Sequence, residues 1–199
     1  VEVEGLGGST RLEPACSYPV REGMTARTNT AEVRNARRTI IELILANHPH
    51  SCQTCIRNGR CQLQSLCREY SISEYKYEGE RRHFKQDVSS EAITRHPEYC
   101  ILCGKCVRVC REVQKVYALD FVNRGFSTVV LPAFDRELSQ SVCVLCGQCL
   151  LKCPVAAIRD KSYISQVEEA LENPDIYCTV QVAPAIRASI GEMFGLPPG

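Results

Sequence analysis

No apolar run in the 199 residues approaches the roughly 20 needed to span a bilayer, and the longest, Ile40 to Ala46, is broken by Glu42. Membrane insertion through a hydrophobic helix is therefore not expected. A charge of one sign is missing too: 24 Lys and Arg against 23 Asp and Glu leave a formal +1. The basic residues are dispersed, so neither nucleic acid nor an anionic membrane is an expected partner. No secretory signal is visible. No G-x-G-x-x-G follows a strand, so any pyridine nucleotide must be bound by another subunit. The chain opens at Val1 without methionine, which reads as a processed or excised segment. Hydrophobic content of 44% and charged content of 24% are ordinary for a globular protein of one medium or two small domains.

Cysteine is abundant, with 14 residues. Disulfide scaffolds are short and need an oxidising compartment. Here the cysteines are bunched two or three residues apart, which suits several thiolates converging on one metal centre. The expected setting is reducing, hence cytoplasmic.

Along the chain, residues 1–28 carry β-like stretches, "VEVEG" and "CSYPV", punctuated by Gly5, Gly7, Gly8, Pro14 and Pro19. From Thr30, a plausible N-cap, the pattern turns helical, with Val33, Ala36, Ile40, Ile44 and Leu45 on one face and Pro49 barring continuation. "CQLQSLCREY" fits a short helix. Residues 71–90, with Tyr75 and Tyr77 alternating, read as a connecting strand or loop. Two β-rich runs around Asn123-Arg124-Gly125 predict a hairpin. Residues 161–173 suggest a helix ending near Asn173-Pro174. "IYCTVQVAPA" follows as a buried strand carrying Cys178 into the core, before a helix start and a stop at "GLPPG". This terminus reads as the cut beginning of an α/β unit.

The strongest signal is a repeat. "CILCGKCVRVC" and "CVLCGQCLLKCP" both have the form C-x2-C-x2-C-x3-C. Three thiolates on a tight loop can hold three corners of a cubane, with Gly104 and Gly147 allowing the turn. The fourth cysteine lies on the following helix and serves the other cluster. One [4Fe–4S] cluster then takes Cys100, Cys103, Cys106 and Cys153, and the other Cys143, Cys146, Cys149 and Cys110. Zinc sites prefer two separated CxxC pairs and are the weaker reading. Pro154 follows Cys153, as usual in such motifs, whereas Arg111 follows Cys110. Lys105, Arg108 and Arg111 flank the first motif, either to stabilise a reduced cluster or as an ordinary solvated face.

"NHPHSCQTCIRNGRC" contains H-x3-C-x2-C-x5-C: His48, Cys52, Cys55 and Cys61. Beside two cubanes, the economical reading is a third, with an imidazole in place of one thiolate. Exchanging an anionic ligand for a neutral one favours reduction and raises the potential, as in Rieske centres. Cys67 could replace His48 or be a buried free thiol. His50, behind Pro49, is expected to be solvent-exposed. A zinc knuckle is the plainer alternative.

The order "ACSYPVREGMTARTNT", helix, "HPHSCQTCIRNGRCQLQSL" and two ferredoxin motifs resembles the N-terminal electron-transfer region of multi-cluster [FeFe]-hydrogenases. Similar regions occur in the large iron–sulfur subunit of complex I and in NAD-linked formate dehydrogenases. The resemblance implies an α+β architecture. Residues 1–30 would be the end of a plant-type β-grasp [2Fe–2S] domain, 31–78 a His-ligated [4Fe–4S] domain, and 79–165 a two-[4Fe–4S] ferredoxin-like domain. Residues 166–199 would be a linker and the start of an H-cluster domain. It also implies that Cys16 is the last of four [2Fe–2S] ligands, the other three being absent, and it favours His48 as a ligand. "VQVAPAIRASIGEMFGLPPG" looks like the approach to the hydrogenase catalytic domain. The parent would then be an [FeFe]-hydrogenase, these residues carrying electrons only; a stand-alone polyferredoxin, which would need no "VQVAPA" extension, is the weaker reading. Implied partners are flavin- and NAD(P)-binding and [2Fe–2S] subunits, or ferredoxin.

Overall fold

The structure is a computed structural model describing residues 1–4, 8–74 and 76–196. The expectations at Gly5, Gly7, Tyr75 and the final Pro197-Pro198-Gly199 fall outside those residues. The chain divides into two units, Val1–Lys161 and Ser162–Gly199.

The first unit opens with β1 (Glu2–Glu4), β2 (Thr10–Leu12) and β3 (Thr25–Arg27), an antiparallel sheet in the order β2-β1-β3. Val3 is buried opposite Arg11 and Ala26. The strand expected at "CSYPV" is a turn instead: the Ser17 and Tyr18 amides both donate to the Pro14 carbonyl. Two prolines there lack the N–H a ladder needs.

Helix α1 (Ala31–Ala46) starts where expected. The Thr30 hydroxyl accepts from the Val33 amide at 3.3 Å. Its buried face centres on Val33, Ile41 and Glu42, while Ile40 is exposed, so the stripe is rotated from the one expected. Arg38 meets the buried Glu42 carboxylate at 3.1 Å. The helix ends with Asn47 and His48 donating to the carbonyls of Ile44 and Leu45. Helix α2 (Gln62–Glu69) buries Leu63.

The rest of this unit is organised by a pair of strands that the sequence did not suggest. β4 (Ile93–Arg95) and β7 (Ile158–Asp160) run antiparallel, one just before the first cysteine motif and one just after the second. Between them lie α3 (Lys105–Arg108), continued by a π turn over Val109–Val113, the expected hairpin of β5 (Asp120–Val122) and β6 (Val129–Leu131), and α4 (Gln148–Lys152). Ile93, Val107, Leu119, Val130, Val155 and Ile158 pack into one core that also contains Cys61, Cys106 and Cys153.

The second unit holds α5 (Ile164–Glu172) and α6 (Pro184–Met193). The strand expected over 176–185 is absent. Tyr177 and Val180 are 92% and 88% exposed, and Cys178 is exposed, not a core residue. No strand among the unit's described residues offers this segment a ladder, so its alternating apolar residues have nothing to pair with.

Candidate metal centres

The two repeated loops have nearly the same backbone. Leu102 and Leu145 both stand at φ 54°, and Gly104 and Gly147 at φ 69° and 73°, each opening a helix. The left-handed glycine turns the loop tightly enough for the first two cysteines and the third, on the helix, to face one space. Cys100, Cys103, Cys106 and Cys153 line one pocket, and Cys110, Cys143, Cys146 and Cys149 line another. The crossed assignment of fourth cysteines is thus the grouping in which the fold brings them together.

The fourth cysteines differ in setting. Cys153 ends α4 with extended backbone, where Pro154 suits the departing chain. Cys110 lies inside the π turn, and Gln114 N–H still bonds the Val109 carbonyl. Arg111 keeps that turn helical, which explains why proline is missing there.

The pockets are thiol-rich and apolar. Burial pushes the Cys106 thiol up to about 12, reinforced by Cys100, Cys103 and Cys153, and Cys149 up to about 11, reinforced by Cys143. Burial also raises Cys100 and Cys143. Four thiolates cannot share such a pocket without compensating positive charge. Metal ions bound there would supply that charge, and backbone amides would add to it: Leu102 N–H points at Cys100 Sγ (3.4 Å) and Ala118 N–H at Cys110 Sγ (3.3 Å). Among the described residues, no three His, Cys, Asp or Glu side chains gather tightly enough for a single ion. Thiols spread around a pocket wall suit a multi-iron group, in which each binds a different iron.

His48, Cys52, Cys55 and Cys61 line a third pocket, and a neighbouring one brings Cys67 beside His48, Cys52 and Cys61. His48 is buried, its Nδ1 has no hydrogen-bond partner among the described residues, and its ring stands edge-on to Tyr99 at 5.6 Å. An orphaned buried nitrogen costs stability unless something binds it. Burial, helped by His50, pulls the His48 pKa down to about 4, so the ring is neutral at pH 7, the form that ligates metal. Both observations fit a ligand role. Cys67 is half-buried, and its thiol is raised by burial and by Cys52 and Cys61. His50 is not solvent-exposed as expected: it is half-buried, with Nε2 3.1 Å from the Leu45 carbonyl and Nδ1 3.0 Å from Arg81.

This third site is tied to the first motif's pocket. Gln62 N–H donates to the Pro154 carbonyl at 3.1 Å, Lys105 Nζ reaches Gln62 Oε1 at 3.0 Å, and Tyr99 and Ala156 line the His48 pocket. Cys16 is exposed in the turn after Pro14. One residue the sequence reading passed over is Arg95. It is 4% exposed and lines both four-cysteine pockets. As a lone arginine ahead of "HPEYC" it carried no motif, and only the β4–β7 pairing places it there.

Residues 37–76 match the NADH-ubiquinone oxidoreductase-G iron-sulfur binding region, and residues 99–157 match the 4Fe-4S dicluster domain. The chain is an iron–sulfur electron-transfer module. It is 45% identical, over its whole length, to the NADP-reducing hydrogenase subunit HndD of Solidesulfovibrio fructosivorans, and covers 34% of that protein. Over 98% of its length it is 34% identical to iron hydrogenase 1 of Clostridium pasteurianum, again covering 34%. A subunit of an NADH-quinone oxidoreductase of Rhizobium meliloti is 37% identical over 82% of the chain, which covers 19% of it. The module therefore spans about a third or less of these relatives. A solved NAD+-reducing [NiFe]-hydrogenase chain superposes with a TM-score of 0.71 at 25% identity, over 81% of this chain and 68% of that one. No described helix is long and apolar enough to cross a membrane.

Proposed function

We propose that the module holds three [4Fe–4S] clusters and passes single electrons between a redox partner and the hydrogen-activating H-cluster of an [FeFe]-hydrogenase. The ligands are His48, Cys52, Cys55 and Cys61; Cys100, Cys103, Cys106 and Cys153; and Cys143, Cys146, Cys149 and Cys110. The observation that carries the hydrogenase assignment is the extent of similarity. The two hydrogenase relatives align over 100% and 98% of the chain, whereas the NADH-quinone oxidoreductase relative aligns over 82%. The domain limits are those at residues 30, 78 and 165, and Cys16 is one ligand of a [2Fe–2S] cluster only if upstream sequence supplies the other three. Flavin- and NAD(P)-binding and [2Fe–2S] subunits, or ferredoxin, are the partners, in a reducing cytoplasmic setting.

The clusters supply one-electron redox chemistry when bound. The chain's own residues set their order: Gln62, Lys105 and Tyr99 hold the His48 site against the Cys100 pocket, and Arg95 spans that pocket and the Cys143 one. This supports a linear relay. The proton couple lies near −410 mV at pH 7, from about 59 mV per pH unit, and ferredoxin-type clusters near −400 mV match it. The same module in a formate dehydrogenase or complex I-like subunit is the second reading, supported by the match of residues 37–76 to the NADH-ubiquinone oxidoreductase region.

Anaerobic iron and sulfide analysis with EPR of the dithionite-reduced protein, beside His48→Ala, tests this. About 12 irons per chain, with one signal altered in the variant, is expected. About eight irons and an unchanged variant would reduce the first site to a cysteine-rich loop. Zinc in place of iron would overturn the electron-transfer reading.

A further inference from the structure

Arg95 ends β4, with its backbone N–H and carbonyl bridging to Asp87. Its guanidinium donates to the Val130 carbonyl and stands 3.5 Å from the Asp87 carboxylate. Asp87 is itself anchored: Leu138 N–H donates to it at 2.8 Å, and Ser89 donates through its hydroxyl at 2.6 Å and its amide at 3.1 Å. Burial opposes ionisation of Asp87, but these bonds and Arg95 outweigh it and hold the carboxyl below its usual range. The pair is therefore a fixed dipole. Arg95 lines both four-cysteine pockets, while Asp87 lines neither.

A buried ion pair contributes little net stability compared with apolar packing, so stability alone is a poor reason for a charge at this point. Its electrostatic reach is the better one. Burial works against the Arg95 charge, and Asp87, Cys106, Cys100 and Cys149, in that order, support it. Arg108 and Arg111 are exposed, so solvent screens them far more strongly than a cation in the core. Arg82 is half-buried and donates to the Cys100 carbonyl at 3.3 Å, but lines neither pocket.

We propose that Arg95, held by Asp87, tunes the two clusters jointly, raising both reduction potentials and so keeping them matched for transfer between them. This rests on the ligand assignment above. On reduction the donor loses one electron and the cluster gains one. No bond forms or breaks, and the added negative charge faces a guanidinium already in place, so no proton is needed. Arg95 is a positioning residue for charge rather than a ligand.

The test is an anaerobic redox titration of the holoprotein by EPR, with iron content measured in parallel. Arg95→Met should lower the midpoint potentials of both clusters, each by at least a tenfold loss in the equilibrium constant for reduction, about 59 mV. The His48-site signal should not move. Arg95→Lys, which keeps the charge, should restore most of the shift. Arg82→Gln should move the Cys100-site cluster alone. Asp87→Asn keeps an acceptor for Leu138 N–H but removes the opposing charge, and it should raise both potentials. This last variant decides the matter if Arg95→Met fails to load iron. Full iron loading with unmoved potentials, or a shift confined to one cluster, overturns the inference. Equal shifts in the Met and Lys variants also overturn it, since the role would then be structural. A wild-type protein lacking the clusters would instead overturn the ligand assignment.

Discussion

Gly104 and Gly147 perform the same backbone task in different surroundings. A side chain at either would meet the left-handed penalty of about 1–2 kcal/mol. At Gly104 an added Cβ would also come within 3.3 Å of the Phe121 ring, whereas at Gly147 nothing lies within 4 Å. Gly104→Ala is therefore expected to lower the thermal midpoint of the holoprotein more than Gly147→Ala. Equal losses would mean that Phe121 moves aside freely. His48 offers a sharper chemical test. His48→Cys replaces a neutral donor by an anionic one and should lower that cluster's midpoint potential, read by EPR titration. An unchanged potential would give the fourth position to Cys67, which lines the adjoining pocket. Most of these residues were legible from spacing alone, because a C-x2-C-x2-C-x3-C loop fixes its own geometry through local backbone. Arg95 was not legible: its position depends on β4 meeting β7, about 65 residues away in sequence.

At the scale of elements, local signals carried far and long-range ones did not. Helix α1 begins at its Thr30 cap and ends ahead of Pro49 because both signals act within a turn. Thr30→Ala should cost about 1 kcal/mol, measurable as a fall in the denaturation midpoint, with the EPR spectrum of the His48 site unchanged. A changed spectrum would show that the cap also positions His48, which lies two residues beyond the helix end. The strands are each three residues long, too short for a period-two pattern to stand out, and nothing in the sequence marks β2, β3, β4 or β7. The converse holds at 176–185, where Ile176, Cys178, Val180 and Val182 alternate like a strand yet are exposed. Alternation states what a segment could bury. Only a neighbouring strand decides whether it does.

At the scale of the molecule, the core and the candidate centres are one object, since Cys61, Cys106 and Cys153 belong to the same buried cluster as Ile93, Val130 and Val155. Metal removal should therefore unfold the first unit rather than merely empty it, and circular dichroism after anaerobic chelation should show loss of helix together with iron. The pH response of any folded metal-free protein should differ in sign from that of the loaded one. Without metal, Cys106 releases its proton at about 12 and Cys149 at about 11 when folded, against an unperturbed thiol value of 9.0. Between pH 9 and those values the unfolded chain has lost protons that the folded chain still holds, so stability falls as pH rises through that window. With metal bound, the ligands are already thiolates. The unfolded chain then binds more protons than the folded one below pH 9, and stability falls instead as pH drops. Denaturation midpoints of the loaded protein between pH 6 and 11, and of whatever metal-free protein stays folded, test this. If the loaded protein also weakened only toward high pH, the buried cysteines would be thiols and not ligands.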